Sequence, residues 1–419
     1  MKYSGSSGIR EKWGFDLVGT ARDVAISMAA KYGKIALASD FRETSDSLRS
    51  LMAGYLAAGG AEVYDAGKVP TPTLAYFSKD MDAGVMITAS HNPAEYNGIK
   101  LWNSDGSAFS ESQMDALKGG RVASWNAAGK LHSVDAVSMH FDAIVKKSKS
   151  LEGLKIVIDC SNGAGSVISP QILSWLGASV ISVNCHPDGG FPGHPSEPSE
   201  KNLELLKNMV IKEKANLGIA HDGDADRFIA VSPSGRYLNG DEILAVFIKH
   251  YGFKNIVAPV NSSMLLDRYA DVKRCRVGDA NVSQELKETG YDFGGEQSGT
   301  QIFPGWRYTP DAIYSAVMFA GIAAEENIDE IISGFPKFHT IRKAIQYENR
   351  EIMERKVENM MKSYDVETMD GWRVNLGDSW FLIRFSGTEP KLRVSVESED
   401  AGKAEEIMGM ILKELEVKK

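Results

Sequence analysis

Three times along the chain, a short apolar run gives way to a helix-spaced stretch and then to a second apolar run. This recurrence limits the possible folds more than any other feature of the sequence. The first pass is Ile35-Ala36-Leu37-Ala38, then Ser45 to Ala58 with Leu48, Leu51, Met52, Tyr55 and Leu56 at helical spacing. Gly59-Gly60 ends that helix, and Ala61-Glu62-Val63-Tyr64-Asp65 is extended again. The second runs from Leu154-Lys155-Ile156-Val157-Ile158-Asp159 through a helix at Ile172 to Leu176, then Gly177, to Ser179-Val180-Ile181-Ser182-Val183. The third, looser, starts at Asn255-Ile256-Val257-Ala258-Pro259-Val260, has a helix through Ser263 to Tyr269, and ends in Val272 to Val277. Strands and helices alternating at this spacing predict βαβ units with largely parallel, covered sheets, and so three similar mixed α/β domains.

At 419 residues the chain exceeds one ordinary core, and at ~150 residues per domain it holds three or four. An amphipathic helix is expected from Asp16 to Tyr32, and the polar helix-like stretch Phe141 to Ser150 connects the first unit to the second. Gly235 to Gly240, followed by the apolar helix Glu242 to His250, marks the next boundary. After Phe335-Pro336 the composition changes. Arg342 to Val366 is charged and helical, Trp380 to Phe385 and Leu392 to Val396 are strands, and Ala401 to Leu415 is a closing helix. The expected plan is α/β domains over 1–145, 146–245 and 246–340, then a smaller α+β C-terminal domain over 341–419.

A net charge of −9 without a basic block argues against nucleic acid and anionic membrane as partners, so any bound phosphate must be met by locally placed Arg, Lys and N–H groups. Cys160, Cys185 and Cys275 are far apart and form no C-x-x-C pattern, as expected of reduced thiols. No apolar run approaches the ~18 residues of a membrane span, and the polar start has no signal-peptide core. The expected location is the cytoplasm.

Four stretches carry the chemistry. Thr88-Ala89-Ser90-His91-Asn92-Pro93 follows the buried strand Ala83 to Ile87 and puts Ser90 on a loop, with His91, Asn92 and Lys100 as polar neighbours. A serine hydroxyl needs such neighbours to act as a nucleophile, although the same hexapeptide also suits an ordinary turn. Asp222-Gly223-Asp224-Ala225-Asp226-Arg227 sets three carboxylates at alternate positions, which an extended backbone would point one way, as Mg²⁺ requires. A solvated acidic turn would look similar; an EF-hand is disfavoured because its twelfth position would be Pro233. Gly294-Gly295-Glu296-Gln297-Ser298-Gly299 could let Glu296 and Ser298 reach vicinal sugar hydroxyls, or be a plain turn. Arg384-Phe385-Ser386-Gly387-Thr388-Glu389-Pro390 could wrap a phosphate dianion, or be a turn on a small domain.

Together and in this order, the four stretches resemble the α-D-phosphohexomutase superfamily, which contains phosphoglucomutases, phosphomannomutases and phosphoglucosamine mutases. The resemblance implies four domains around a central cleft, and a phosphoryl group passing between an enzyme serine and a sugar phosphate by way of a 1,6-bisphosphate. It implies Ser90 as the phosphoserine and Asp222, Asp224 and Asp226, with the phosphoryl oxygen on Ser90, as the Mg²⁺ ligands. Arg227 would steady that group, and Glu296 and Ser298 would read the sugar. Arg384, Ser386, Gly387 and Thr388 would grip the phosphate not being transferred. Arg10 and Lys100 match positions lining the family's active site.

The chain departs from the family pattern in three places. Ser6 and Glu11 stand where relatives usually have threonine and glycine. Thr300 stands where many place a histidine assigned to proton transfer, which leaves Lys100, His91 and Arg10 as the acid/base candidates. Arg307 to Ala312 stands where relatives usually carry Asp-Gly. The expected activity is that of a Mg²⁺-dependent hexose phosphomutase acting on a small phosphosugar, with phosphoglucosamine mutase as the leading reading. Alternatives are a broad phosphomannomutase/phosphoglucomutase, a metal-dependent sugar phosphatase and a non-catalytic sugar-phosphate sensor. The sequence does not decide between monomer and homo-oligomer.

Overall fold

The computed structural model describes residues 8–386 and 390–415; Ser6, Gly387 and Thr388 lie outside the described residues. Four sheets follow one another along the chain. The first contains β1 (Ile9–Lys12), β2 (Lys34–Ser39), β3 (Glu62–Lys68), β4 (Ala83–Ile87), β5 (Tyr96–Asn103) and β6 (Leu131–Ser133), in the order β1-β5-β4-β2-β3-β6. The second contains β7 (Lys155–Asp159), β8 (Ser179–Val183), β9 (Leu217–His221), β10 (Phe228–Val231) and β11 (Tyr237–Leu238), in the order β11-β10-β9-β7-β8. The third contains β12 (Asn255–Pro259), β13 (Asp271–Cys275), β14 (Gly294–Glu296) and β15 (Thr300–Ile302), in the order β13-β12-β14-β15. The fourth, wholly antiparallel, contains β16 (His339–Gln346), β17 (Trp372–Asn375), β18 (Ser379–Phe385) and β19 (Lys391–Ser398), in the order β16-β19-β18-β17.

The first three sheets contain one shared module. In each, a central strand (β2, β7, β12) is flanked by two parallel neighbours, and the second of these (β4, β9, β14) turns through a hairpin into an antiparallel strand (β5, β10, β15). The parallel pairing is as expected, and the antiparallel fourth strand makes each sheet mixed. The third module departs from expectation between its first two strands, where the helix expected over Ser263 to Tyr269 is a single 3₁₀ turn at Leu266–Arg268.

The expected boundaries after 145, 245 and 340 each fall inside a regular element: the helix Ala136–Lys147, the helix Gly240–Tyr251 and β16. The helix Gly240–Tyr251 buries Ile243 to Ile248 without a break, and Ala312–Glu325 is buried almost as completely. Helices apolar on every side must sit inside a core, and these two lie in one that runs continuously from the second unit into the third. The first and last units keep cores of their own.

In the last unit, Arg342 to Gln346 belongs to β16 rather than to a helix. Ile341 and Ile345 face inward while Arg342, Lys343 and Ala344 are exposed, so this outer strand reads as a charged run. The helix begins at Arg350, where the Asn349 side chain accepts the Ile352 N–H at 3.1 Å. No described helix is long and apolar enough to cross a membrane.

Candidate active site

Each repeated module places one of the sequence motifs in the same joint, the hairpin leaving its third strand. Ser90 lies between β4 and β5, the three aspartates between β9 and β10, and Gln297-Ser298-Gly299 between β14 and β15. The Ser90 Oγ donates to Asp222 Oδ2 at 2.8 Å, and Phe228 N donates to the Gly299 carbonyl at 2.7 Å, so the three loops are tied in series. Gly223 is a glycine for a steric reason, because a Cβ there would stand 2.8 Å from the Ser90 carbonyl oxygen.

Ser90 adopts a left-handed backbone, φ 51°, which costs a non-glycine residue roughly 1–2 kcal/mol and so needs support. Its N–H donates to Thr88 Oγ1 at 2.9 Å, and that hydroxyl donates to Asp40 Oδ2 at 2.7 Å. The larger support is Arg42, only 1% exposed, whose guanidinium donates to the carbonyls of Ser90 (2.7 Å), Asn92 (2.6 Å), Pro93 (2.7 Å) and Tyr96 (3.0 Å). Its Nε pairs with Asp40 at 3.1 Å, and the plane stacks on Phe191 of the second unit at 5.0 Å. Burial pushes Asp40 above the usual carboxylate range against the pull of Arg42. Arg42 is a functional residue that none of the four sequence motifs contains. The only signal was a cation two residues after an aspartate at a strand end.

The aspartate stretch is not extended. Ala225 has φ 58°, and the N–H groups of Asp226 and Arg227 fold back on Asp222 Oδ1 at 3.1 and 3.2 Å. The carboxylates converge because the loop curls around Asp222, not through strand alternation as expected from sequence. Asp222, Asp224 and Asp226 are buried, with one oxygen from each within 4.8 Å of the others. Burial, then Asp226 and Asp224, hold Asp222 well above the usual range; burial also acts on Asp224, but Lys100 and Thr71 outweigh it and lower that group. Asp224 Oδ1 has no hydrogen-bond partner. A buried, clustered set of hard oxygen donors with one oxygen unsatisfied suits a divalent cation such as Mg²⁺.

The remaining candidates divide by position. Lys100, on β5 and 1% exposed, donates to Asp224 Oδ2 at 2.8 Å and Asp226 Oδ2 at 2.6 Å; burial opposes its charge, but the two carboxylates raise it above the ordinary lysine range. Arg10, on β1, donates to Asn92 Oδ1 at 3.3 Å. His91 Nδ1 stands 3.5 Å from Ser90 Oγ, and Arg227, burial and Arg10 depress the ring to about 2, so it is neutral. Arg227 lies 3.6 Å from Glu197.

In the third module, Glu296 Oε1 accepts the Gly278 N–H at 2.8 Å, while its other oxygen has longer contacts to Thr300 Oγ1 (3.4 Å) and Ser298 Oγ (3.5 Å). Burial, then Asp279, push Glu296 up to about 7. Thr300, where a histidine was the family expectation, thus faces Glu296 across the hairpin. The last unit contributes Arg384, 3.1 Å from Asp370, and Ser386, nearly buried. Both line a cavity of about 670 Å³ with Arg276, Asn281 and Arg393, bordered by Ser107 and Ser110 of the first unit. That volume suits a phosphorylated sugar. Gln297, at the tip of the third hairpin, accepts from Arg342 of β16 and so touches the last unit directly.

Comparison with known proteins agrees over nearly the whole chain. The models for phosphoglucomutase/phosphomannomutase alpha/beta/alpha domains I, II and III and the C-terminal domain match residues 1–120, 134–235, 239–338 and 347–414. The chain is 40% identical to the "Probable phosphoglucosamine mutase" of Methanocella arvoryzae, covering 97% of this chain and 96% of that protein. It is 39% identical to the phosphoglucosamine mutase of Methanococcus aeolicus, covering 97% of each. A phosphoglucomutase/phosphomannomutase family protein of Burkholderia thailandensis shares the fold with a TM-score of 0.87 at 24% identity, over 98% of this chain and 96% of that one. Aspergillus fumigatus N-acetylphosphoglucosamine mutase, solved with GlcNAc-6P and magnesium, shares it at 0.60 and 14% identity, over 99% and 96%. With all four of its domains matched in order and three of its four motifs at equivalent hairpins, this chain belongs to the phosphoglucomutase/phosphomannomutase family of hexose phosphomutases.

Proposed function

We propose that the chain is a Mg²⁺-dependent phosphoglucosamine mutase that works through a phosphoserine at Ser90 and a hexose 1,6-bisphosphate. The observation carrying this reading is the buried Ser90 hydroxyl, hydrogen-bonded to a carboxylate of a three-aspartate cluster that has an unsatisfied oxygen. Asp222, Asp224 and Asp226 would hold the cation, which neutralises phosphoryl charge when bound.

Phosphoryl transfer demands alignment and charge neutralisation more than a powerful nucleophile. Arg42 and Thr88 fix the serine; Lys100, Arg227 and Arg10 bring positive charge to its surroundings. The Ser90 oxygen–phosphorus bond breaks as the sugar hydroxyl oxygen bonds to phosphorus, and the hydroxyl proton ends on the released Ser90 oxygen, while Lys100, already protonated between Asp224 and Asp226, supplies positive charge and takes no proton. His91, already neutral at 3.5 Å from the serine oxygen, serves as a polar neighbour rather than a charge carrier. Glu296 and Ser298 read the sugar hydroxyls, and Arg384, Ser386, Gly387 and Thr388 grip the distal phosphate. The bisphosphate then turns over and returns its other phosphate to Ser90.

The glucosamine assignment rests on relatives 37–40% identical that carry that name. Three free cysteines, two of them buried, suit a reducing cytoplasm. Intact-mass measurement should find a fraction of the protein carrying one phosphate, absent from Ser90→Ala, and full mutase activity in that variant would rule the mechanism out. With the 1-phosphates of glucosamine, glucose and mannose, each primed by its 1,6-bisphosphate, the highest kcat/KM is expected for glucosamine. Equal or higher values for glucose and mannose would make the enzyme a broad phosphomannomutase/phosphoglucomutase. Release of free phosphate as fast as isomerisation would make it a phosphatase.

A further inference from the structure

His140 is fully buried on the helix Ala136–Lys147, between the first and third units, and bonded at both ring nitrogens. Its Nε2 lies 3.0 Å from Asp311 Oδ2 and its Nδ1 2.9 Å from Thr73 Oγ1. A carboxylate only accepts, so Nε2 carries a proton toward Asp311. Trp306 Nε1 donates to the same Asp311 oxygen at 2.7 Å, and the other oxygen accepts the N–H groups of Ile313 and Tyr314 at 3.1 and 2.9 Å. The ring packs against both Tyr76 and Trp306, with centroids 5.3 and 5.9 Å away, and those two rings lie 5.0 Å from each other.

The two partners of His140 belong to elements that end on the metal loop. Thr73 is in the helix Thr71–Phe77, whose first residue donates its N–H to the Asp224 carbonyl at 2.9 Å and its hydroxyl to Asp224 Oδ2 at 2.6 Å. Asp311 caps the helix Ala312–Glu325, whose first N–H points to the Ala225 carbonyl at 3.3 Å. Two consecutive carbonyls of the loop are thus held by two helix starts from different units, and His140 bridges the turns just inside them. A buried His–Asp pair carries a desolvation cost that a third apolar ring in this aromatic stack would avoid. Packing alone therefore does not account for it.

We propose that His140 and Asp311 are positioning residues for the metal loop. They set the spacing between the helix starts that clasp Asp224 and Ala225, and so hold the Asp224 carboxylate in the geometry a divalent cation needs. The inference rests on the metal reading of the aspartate cluster.

The test follows Mn²⁺ binding to the purified full chain by the loss of the free-ion paramagnetic resonance signal, alongside Tm and phosphosugar KM. The variants are His140→Phe, which keeps a ring without its nitrogens, the conservative His140→Gln, and Trp306→Phe, which removes the N–H to Asp311 together with one ring of the indole. Ile144→Ala, buried on the same helix without polar contacts, is the stability control. His140→Phe is expected to weaken Mn²⁺ binding about tenfold, the usual size for a group that orients a ligand, while KM changes less than about twofold. His140→Gln should recover part of the loss, and Trp306→Phe should show a smaller one even if His140→Phe does not fold. Wild-type Mn²⁺ affinity in the His140 and Trp306 variants, or equal weakening in Ile144→Ala at matched Tm, overturns the proposal. If the unaltered protein binds no Mn²⁺, the metal reading fails, and this inference fails with it.

Discussion

Arg42 uses all five of its N–H groups: one on Asp40 and four on the carbonyls that shape the Ser90 loop. Lysine offers three donors from a single point and cannot span that set. Arg42→Lys is expected to cost about 2–4 kcal/mol of stability and to lower kcat more than it changes KM, since the loop it releases carries the oxygen proposed to react. Urea unfolding with steady-state kinetics would check this, and an unchanged kcat would remove Arg42 from the serine's support. Nothing in Asp40-Phe41-Arg42 read alone says that the charge is buried, because its acceptors lie 48 to 54 positions downstream. Asp241 gives a pH-dependent case. It is 5% exposed with one oxygen unpartnered, and burial pushes it from 3.8 up to about 6, with Arg342 opposing. The folded state holds that proton more tightly than the unfolded one, so the destabilisation is absent below pH 4, grows up to pH 6 and stays constant above. Asp241→Asn should therefore raise stability by on the order of 2–3 kcal/mol at pH 8 and scarcely at pH 4. An equal Tm gain at both pH values would contradict the assignment.

At the scale of elements, the sequence was most legible where one segment carries its own signal. The helix over Ser45–Ala58 has apolar spacing and a glycine stop, and its ends fall where they were expected. Short apolar runs made β2, β3, β4, β7, β8, β12 and β13 legible, whereas β9 and β14, the third strands of the second and third modules, went unread. Pairing escaped as well. The antiparallel β5, β10 and β15 exist because a hairpin returns them to the sheet, and β16 because β19 lies beside it over eight residue pairs. Candidate site residues were legible from their motifs, yet the aspartates converge through a turn that spacing alone did not reveal. The start of the Arg350–Met361 helix rests on a cap, and Asn349→Ala should cost about 1 kcal/mol. That loss should appear as faster amide exchange confined to Arg350–Met361. Equal acceleration in the first three units would show that the last unit does not open by itself.

For the whole molecule, the unequal division of cores matters most. The second and third units share one and cannot separate without exposing it, whereas the last unit has its own and meets the third through Val260, Trp380 and Leu382. Glu397 fastens that contact, accepting from Met264 N at 2.6 Å, Thr340 Oγ1 at 2.9 Å and Trp380 Nε1 at 3.1 Å. A small apolar patch with a few polar ties, Arg342 to Gln297, Val277 N–H to Asp370 and Arg268 to Glu399 besides Glu397, can yield without unfolding either side, as the proposed turning of a bisphosphate would require. Trp380→Ala is expected to enlarge the radius of gyration in small-angle scattering and to raise KM while leaving Mn²⁺ binding intact. An unchanged scattering profile with a raised KM would place the effect in local contacts instead.

The three equivalent hairpins have a historical consequence. A module that recurs three times with its working loop always at the same joint reads as tandem copying followed by division of labour. On the proposed function, one copy came to carry the transferable group, the next its counter-charge and the third the recognition of the sugar. Selection could then revise each loop on a frame that already met its siblings in the middle, so new substrate preferences need not disturb the sheets beneath.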